Sequence, residues 1–600
     1  MIAASAVHLQ TPIARKLSHL AMEALWRTVY QQCEELRDMS GDLQQLQAFA
    51  LQLHVALWGG EKKPGHKADY LNGFICNLLR SGKSFEDTTD EQCQLSSEDE
   101  VSVLEAKWRS WALQESRRRL AFHWYVHCAH EATSSMKSMT LSYWELRMPL
   151  PTARSLWLAR SAEEWQSLVT TSAKKFSAST KLTLRDIIHS PDLVQSYELD
   201  TEVAISAASF CLIAMTWEDQ HRVAFGVAED NDSFYDEIGV LHAQLEEKYR
   251  SLSDSAFNKH TMVLELQRVY AHAPITLAER LMRGEDLRED EIKQLLRWRD
   301  PTRARRAVWH AAQLIRALRD ISEVSDFTVV ASYHATLCLW LYNQFAWTRG
   351  HEIEQVPSGQ CQTSEASHSK APLAREAETI VLDFEESLED YEKRLDEADA
   401  LEDEEYQDEE YLDFLEQKSP EEEAAQKWIK DGVGTPVLTS NVDGSHVPLT
   451  STSAIMKEVA DLLKAKFQAK RRYCAVLESA CHRLGAVAAL EEAREKQVVV
   501  MTLAPPARPS SHTGTSLGEE SGRKSSPSAE AEAAKHRVEL DLSQSRKVDE
   551  QPRTSISAMT PPADFGAAEK QAEREKEAER ELERPWEVEE QREGSVKWYI

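Results

Sequence analysis

Apolar residues recur at three- and four-residue spacing through almost all of the first 350 residues, and few Gly or Pro residues interrupt the pattern. This spacing is typical of amphipathic α-helices, whereas alternating strand patterns bounded by turn dipeptides are scarce. One stripe consists of Leu43, Leu46, Ala50, Leu53 and Leu57. Thirteen of the 16 Trp residues also precede residue 350, so a large core is expected there. We therefore predict an all-α fold, a multi-helix regulatory bundle over residues 1–350.

The rest of the chain differs in composition. Residues 351–452 are predicted to be a polar linker with a long acidic insertion at 381–424, which carries 21 acidic and three basic residues, and a Gly/Thr/Ser-rich loop at 431–452. Residues 453–500 predict two helices that pack back on the bundle. Residues 501–600 are rich in Ser, Pro, Thr, Glu and other charged residues, so we predict a disordered, charged tail.

Composition excludes several classes of protein. The nine Cys residues never form a C-x-x-C pair, which argues against a disulfide framework and against a zinc module. The formal net charge of −30 disfavours binding of the whole chain to nucleic-acid phosphates. The first residues lack the pattern of a signal peptide. Two apolar runs, 203–217 and 329–347, are interpreted as buried helices and not as membrane spans. We expect a soluble, intracellular protein.

Trp, Arg and Pro residues occur in a specific order along one stretch of the bundle. The residues that carry this order are Trp108, Trp111, Glu115, Arg118, Arg119, Leu120, Pro149, Pro151, Trp157, Glu164 and Trp165. On spacing alone, the Trp residues are core anchors, the Pro residues mark an interhelical turn, and Glu115 can reach Arg118 or Arg119 on one helix. Ser161 with Glu164, and Thr276 with Glu279, predict helix caps.

In this order the residues resemble the middle regulatory domain of fungal zinc-finger transcription factors, the fungal-specific or xylanolytic-activator-type domain. The resemblance covers roughly residues 1–347 and, more weakly, 450–495. It implies regulation of transcription by RNA polymerase II, a nuclear location although no clear import signal is present, and protein partners such as a coactivator or a DNA-bound factor. It also implies that a small molecule could act as effector.

The zinc-binding, DNA-binding head of that family is missing from the sequence. The closest Cys pair, Cys474 and Cys481, is seven residues apart and is interpreted as two small core residues. We therefore expect a truncated or headless member with no zinc or other cofactor on this chain. Basic runs at 117–119, 303–306 and 470–472 are interpreted as solvated helix faces, so direct DNA binding by this chain alone is not expected.

The acidic insertion contains a candidate activation segment. Its apolar residues include Phe384, Leu388, Tyr391, Phe414 and Leu415, and the carboxylates around them are expected to keep them exposed. Acidic segments with such residues can dock as amphipathic helices into coactivator grooves. A solvated insertion without a partner is an equally open alternative.

Three His residues are weak candidates for metal ligands. His123, His127 and His130 fall on one helix face, but the sequence identifies no second coordinating element, and buried His residues usually only satisfy hydrogen bonds. An enzyme is not expected, because the Gly82–Ser84 and Gly514–Gly518 strings lack the strands that phosphate loops and nucleophile elbows need. The alternative function is a helical interaction scaffold with acidic tails outside transcription; an enzyme with a His-rich metal centre ranks third.

Overall fold

The computed structural model describes residues 5–34, 42–59, 62–87, 100–171, 182–191, 193, 198–227, 232–249, 254–298, 301–322, 324–354, 379–384, 420–470 and 473–503. Within these residues the fold is all-α, as predicted, apart from three short strands. The predicted disordered tail lies outside them except for residues 501–503. Most of the acidic insertion, residues 385–419, also lies outside the described residues.

The helices of the N-terminal part are α1 (Pro12–Glu34), α2 (Leu43–Trp58), α3 (Lys62–Ser81), α4 (Val101–Ser135), α5 (Arg154–Trp157), α6 (Ala162–Thr171), α7 (Leu184–His189) and α8 (Thr201–Ala224). A 3₁₀ turn, Tyr143–Glu145, lies between α4 and α5. The helices of the central part are α9 (Asp232–Tyr249), α10 (Asp254–His272), α11 (Ile275–Met282), α12 (Glu289–Arg297), α13 (Pro301–Asp320) and α14 (Asp326–Glu354). The last described part contains β1 (Thr379–Val381), α15 (Pro420–Asp431), β2 (Thr435–Thr439), β3 (His446–Pro448), α16 (Thr452–Ala469) and α17 (Ala475–Leu503).

Helix α14 lies in the centre of the described part. Every residue from Asp326 to Leu341 is buried. Its hydroxyls are satisfied within the helix, since Ser332 Oγ donates to the Thr328 carbonyl and Thr336 Oγ1 to the Ser332 carbonyl, each at 2.8 Å. A helix buried all round needs no membrane to explain its apolar run. No helix among the described residues is long and apolar enough to cross a membrane.

Helix α17 contacts α11 and α14 through buried polar groups. Glu279 of α11 accepts hydrogen bonds from Tyr333 Oη at 2.6 Å and from Arg483 of α17 at 2.5 Å. The prediction that Glu279 caps a helix with Thr276 is wrong, because the N-cap of α11 is Pro274 and Thr276 lies inside the helix. The Glu279 carboxylate binds these partners instead. The other predicted cap is present: Ser161 Oγ accepts from the Glu164 amide at 3.2 Å.

A three-stranded sheet occupies part of the stretch that was predicted to be a loop. β1 pairs in parallel with β2, which pairs antiparallel with β3. Arg319 of α13 anchors the sheet, since it pairs with Asp383 at 2.5 Å and donates to the Thr439 carbonyl at 2.6 Å. Asp383 is buried and Phe384 is half-buried. The expectation that Phe384 is exposed is therefore wrong, because the first residues of the acidic insertion belong to the fold.

The basic run at 303–306 is only partly a solvated face. Arg305 is buried and caps the C-terminus of α15, where its Nε donates to the Ile429 carbonyl at 2.7 Å and its Nη2 to the Lys430 carbonyl at 2.9 Å. Arg303 donates to the Ala271 carbonyl at 3.2 Å. The prediction of a solvated run at 303–306 is wrong for these two residues, because both side chains donate hydrogen bonds to carbonyls that are distant in sequence.

Gly432→Ala is expected to cost more stability than Gly284→Ala. Both glycines have positive φ, +72° and +68°, which costs a residue with a Cβ about 1–2 kcal/mol. A Cβ at Gly432 would in addition lie 2.8 Å from Arg305 Nη1, a guanidinium already held by two carbonyls, whereas nothing lies within 4 Å of the Gly284 position. Urea unfolding of both variants measures the difference. Equal losses would contradict the role of Arg305 as a fixed cap.

Candidate functional site

The Glu115 carboxylate is the centre of the site. It lies on α4, its side chain is 0% exposed, and it accepts hydrogen bonds from Arg118 Nη1 at 2.8 Å, Arg119 Nε at 2.9 Å and the Thr152 amide at 3.0 Å. Both ion pairs expected from helical spacing are therefore present. Burial raises the pKa of Glu115 above its usual value, while the two arginines and the Thr152 amide act in the opposite direction.

Arg119 connects α4 to two further segments. Its Nη1 donates to Asp200 Oδ2 at 2.8 Å and its Nη2 to the Thr152 carbonyl at 2.6 Å. Asp200 also caps α8, since Oδ1 accepts from the Val203 amide at 3.3 Å. We call Glu115, Arg118, Arg119, Thr152 and Asp200 the Glu115 network. It fixes the long helix α4 to the segment before α5 and to the start of α8.

The Pro residues of the signature lie in the segment that the network holds. Pro149 and Pro151 are both buried. The Leu150 amide between them donates to the Leu182 carbonyl at 2.7 Å, and the Pro151 carbonyl accepts from the Asp200 amide at 2.9 Å. Thr152 also forms an isolated antiparallel bridge with Leu199. The segment is thus an extended connection that backbone hydrogen bonds hold on both sides.

The signature Trp residues form a cluster next to this network. Trp111 of α4 and Trp165 of α6 are buried, with ring centroids 5.3 Å apart. Trp108 and Trp157 pack against the same cluster, and the Arg119 guanidinium lies 5.2 Å from the Trp157 ring. Leu120 is buried, whereas Glu164 is exposed and accepts from the Arg160 amide at 2.7 Å. Contacts therefore connect eight of the signature residues, Leu120 and Pro149 are buried, and Glu164 acts as a local cap.

Two members of the network were not found by sequence reasoning. Thr152 is 37 residues and Asp200 is 85 residues from Glu115 in the chain, and no helical spacing connects them. The one available signal was the position of Asp200 directly before the apolar run 203–217, where an N-cap residue is expected. The same network corrects the interpretation of Arg118 and Arg119 as a solvated face. Their side chains are 14% and 17% exposed and carry ion pairs, so they do not offer a free patch for phosphates.

The three candidate His residues of α4 do not share one environment. His130 stacks on Phe327, with ring centroids 4.2 Å apart, and contacts Phe210 edge-on. His127 is buried, stacks on Trp124 and lies with its Nδ1 3.2 Å from Nδ1 of His54 on α2. His123 is exposed. As placed, the described residues contain no group of three or more His, Cys, Asp or Glu side chains that could hold a metal ion.

A small cavity lies between α1 and α2. Its volume is about 30 Å³, and its lining includes His19, Met22, Trp26, Gln52 and Val55. A single water needs about 10–15 Å³ of such space, whereas ligand pockets measure roughly 300–1,000 Å³. This cavity therefore accommodates water and not the small-molecule effector that the resemblance implies.

The Gly82–Ser84 string is not a phosphate-binding loop. It follows α3 and closes that helix, since the Gly82 amide donates to the Leu78 carbonyl and the Ser84 amide to the Leu79 carbonyl, each at 2.9 Å. A phosphate loop would instead follow a strand and begin a helix, whose free amides hold the phosphate. The amides here are already used. The Gly514–Gly518 string lies outside the described residues.

Two curated proteins are similar to part of the chain. A transcription factor of Zymoseptoria tritici is 30% identical over 167 residues, which are 28% of this chain and 17% of that protein. Transcription factor 1 of Elsinoe fawcettii is 29% identical over 169 residues, which are 28% of this chain and 18% of that protein. The matched stretch is thus less than a fifth of either relative. No protein-family model matches the chain, and no solved structure matches it.

Proposed function

We propose that this chain regulates transcription by RNA polymerase II in the nucleus, as the regulatory body of a fungal transcription factor. The observation that carries this proposal is the likeness to two proteins named as transcription factors. The structure supports it in one respect, because contacts connect eight residues of the signature in one largely buried unit beside Glu115. A unit of this kind fixes the relative positions of α4, α5 and α8 and so presents one defined surface to partners.

The DNA-binding step is assigned to another module, which in the family is a zinc module. Arg118, Arg119 and Arg305 are all engaged inside the fold, so these members of the basic runs are not available to phosphates. Contact with DNA through phosphates needs several free Lys or Arg side chains on one face. The chain would act on a gene through a protein that is already bound there.

Tethering tests this proposal. The full chain is fused to a neutral DNA-binding module, and transcription of a reporter with the matching site is measured against the module alone. We expect the fusion to change reporter output and a tagged copy of the chain to accumulate in the nucleus. Unchanged output from a folded fusion, together with exclusion of the tagged chain from the nucleus, would favour a helical scaffold outside transcription.

The acidic segment 385–419 is the proposed activation element. It carries 17 acidic and three basic residues and contains Leu388, Tyr391, Phe414 and Leu415, all outside the described residues. Phe384 is left out, because it is half-buried beside the sheet. Fused alone to the neutral DNA-binding module, the segment is expected to activate the reporter. Phe414→Ala with Leu415→Ala is expected to remove most of that activity, since apolar anchors supply the contact with a coactivator groove.

The matched control replaces two polar residues of the same segment, Ser387→Ala with Gln407→Ala, which keeps the charge and the apolar residues. This variant is expected to activate as well as the parent segment. Absence of activation by the parent segment would contradict the proposal. Equal activation after loss of Phe414 and Leu415 would contradict it too and would support a solvated insertion.

A further inference from the structure

Two imidazoles from different helices meet at the interface of α2 and α4. His54 Nδ1 and His127 Nδ1 lie 3.2 Å apart, and their ring centroids are 5.3 Å apart. One ring therefore donates Nδ1–H to the lone pair of the other. The sequence offered no second coordinating element for the His residues of α4, and His54 supplies one.

Two nitrogen ligands of one metal ion have a similar separation. Two nitrogens bound at 2.0–2.1 Å to a tetrahedral ion lie about 3.3 Å apart. A modest tilt of the two rings would place an ion between the nitrogens without movement of either helix. The proton now shared would leave Nδ1, and Nε2 of the same ring would take one up, so that a neutral pair binds the ion with no net release of protons.

A third imidazole is close to the pair. His123 lies one helical turn before His127 on α4, and its ring centroid is 6.0 Å from that of His54. His123 is exposed, and a change of its side-chain rotamer would bring a nitrogen toward the pair. The exposed side of this ring also gives an ion a path from solvent. His130 is excluded, since Phe327 and Phe210 cover its ring.

Aromatic rings flank the two imidazoles. Trp124 stacks on the far side of His127 at 4.4 Å, and the Trp58 ring lies 6.4 Å from that of His54. Glu131, the nearest carboxylate along α4, is directed to Asn72 and Lys137 instead.

We propose that His54 and His127 form a binding site for one divalent transition-metal ion, with His123 as third ligand after a rotamer change and water as fourth. Ligands that are all imidazoles suit zinc, copper, nickel or cobalt and not magnesium or calcium. This assignment departs from the sequence-based expectation of no metal on this chain. It does not rest on the proposed role in transcription.

Titration of the untagged full chain with Co²⁺, followed by the visible absorption of the ion, tests the site. We expect saturation at one equivalent and displacement by Zn²⁺. His54→Gln and His123→Gln are each expected to weaken binding by at least about 10-fold. His482→Gln, which removes an exposed imidazole on α17, is the matched control and is expected to leave binding unchanged.

His127→Gln is not used, because loss of a buried ring could unfold the chain. His123 is exposed, so its variant tests the site even if His54→Gln does not fold. Failure of the full chain to bind Co²⁺ saturably would overturn the proposal. Binding that His123→Gln leaves as tight as in the parent would overturn it as well.

Discussion

Glu115→Ala is expected to lower the free energy of unfolding by about 3–5 kcal/mol, the usual cost of removing one partner from a buried ion pair. The loss removes the carboxylate partner of Arg118 and one of the two carboxylate partners of Arg119, while these side chains are 14% and 17% exposed. It also removes the acceptor of the Thr152 amide. Because the network holds α4 against the segment before α5, the effect should reach the Trp cluster and change near-ultraviolet circular dichroism.

Glu105→Ala is the matched control for this prediction. Glu105 lies on the same helix and pairs with Arg109 at the same four-residue spacing, but the two side chains are 37% and 75% exposed. Surface pairs of this kind contribute about 0–1 kcal/mol. Urea unfolding should therefore separate the two variants clearly. Similar losses in both would show that burial of the Glu115 network does not stabilise the fold.

Acid is expected to destabilise the chain well above the range in which carboxylates titrate. Burial lowers the pKa of His260 and of His334 to about 3, whereas an unfolded His has a pKa near 6.5. The unfolded state therefore binds more protons, and the stability present above pH 6.5 is lost as pH falls. Each of these two histidines should lower the free energy of unfolding by about 2 kcal/mol between pH 7 and pH 5.

Further titratable groups also act in this pH range. His127, His130 and His272 have lowered pKa values for the same reason and add to the loss. Glu115, whose pKa is raised, opposes it. Glu145 has a lowered pKa, with its hydrogen bond to Arg80 as the largest cause, so its contribution to stability is lost only below about pH 4.5. The interval from pH 7 to pH 5 therefore reports mainly on the histidines.

Urea midpoints measured from pH 8 to pH 5 check the prediction. They should fall steadily below pH 6.5. In His334→Phe, the free energy of unfolding lost between pH 7 and pH 5 should be smaller by about 2 kcal/mol, the contribution of one histidine. His482→Gln, on the exposed face of α17, should leave the slope as it is. A midpoint that stays constant from pH 7 to pH 5 would contradict the burial of these imidazoles.

Local spacing predicted much of the helical fold and part of the site. The stripe on α2 is buried from Leu46 to Leu57, and Glu115 reaches both arginines at the spacing that a helix gives. Asp200 could not be found as a partner of Arg119, because 81 residues separate them and only the folded chain brings them together. His54 was missed for the same reason.

Sequence patterns failed to predict short elements and side-chain contacts that depend on residues distant in the chain. Thr435–Thr439 is short and contains Pro436, and it forms β2 because Ile380 and Val447 pair beside it and Arg319 holds its end. A run of arginines at 303–306 likewise has the composition of a solvated face. Its buried role depends on carbonyls of α15 that lie 124 residues away along the chain.

Transcript abundance in cells tests the central claim most directly, namely that a folded helical body built around Glu115 regulates genes. Cells that lack the chain are compared with cells that carry the parent, Glu105→Ala or Glu115→Ala at equal expression. We predict that loss changes a defined set of transcripts, that Glu105→Ala restores them and that Glu115→Ala does not. Identical transcripts with and without the chain, or full restoration by Glu115→Ala, would contradict the claim.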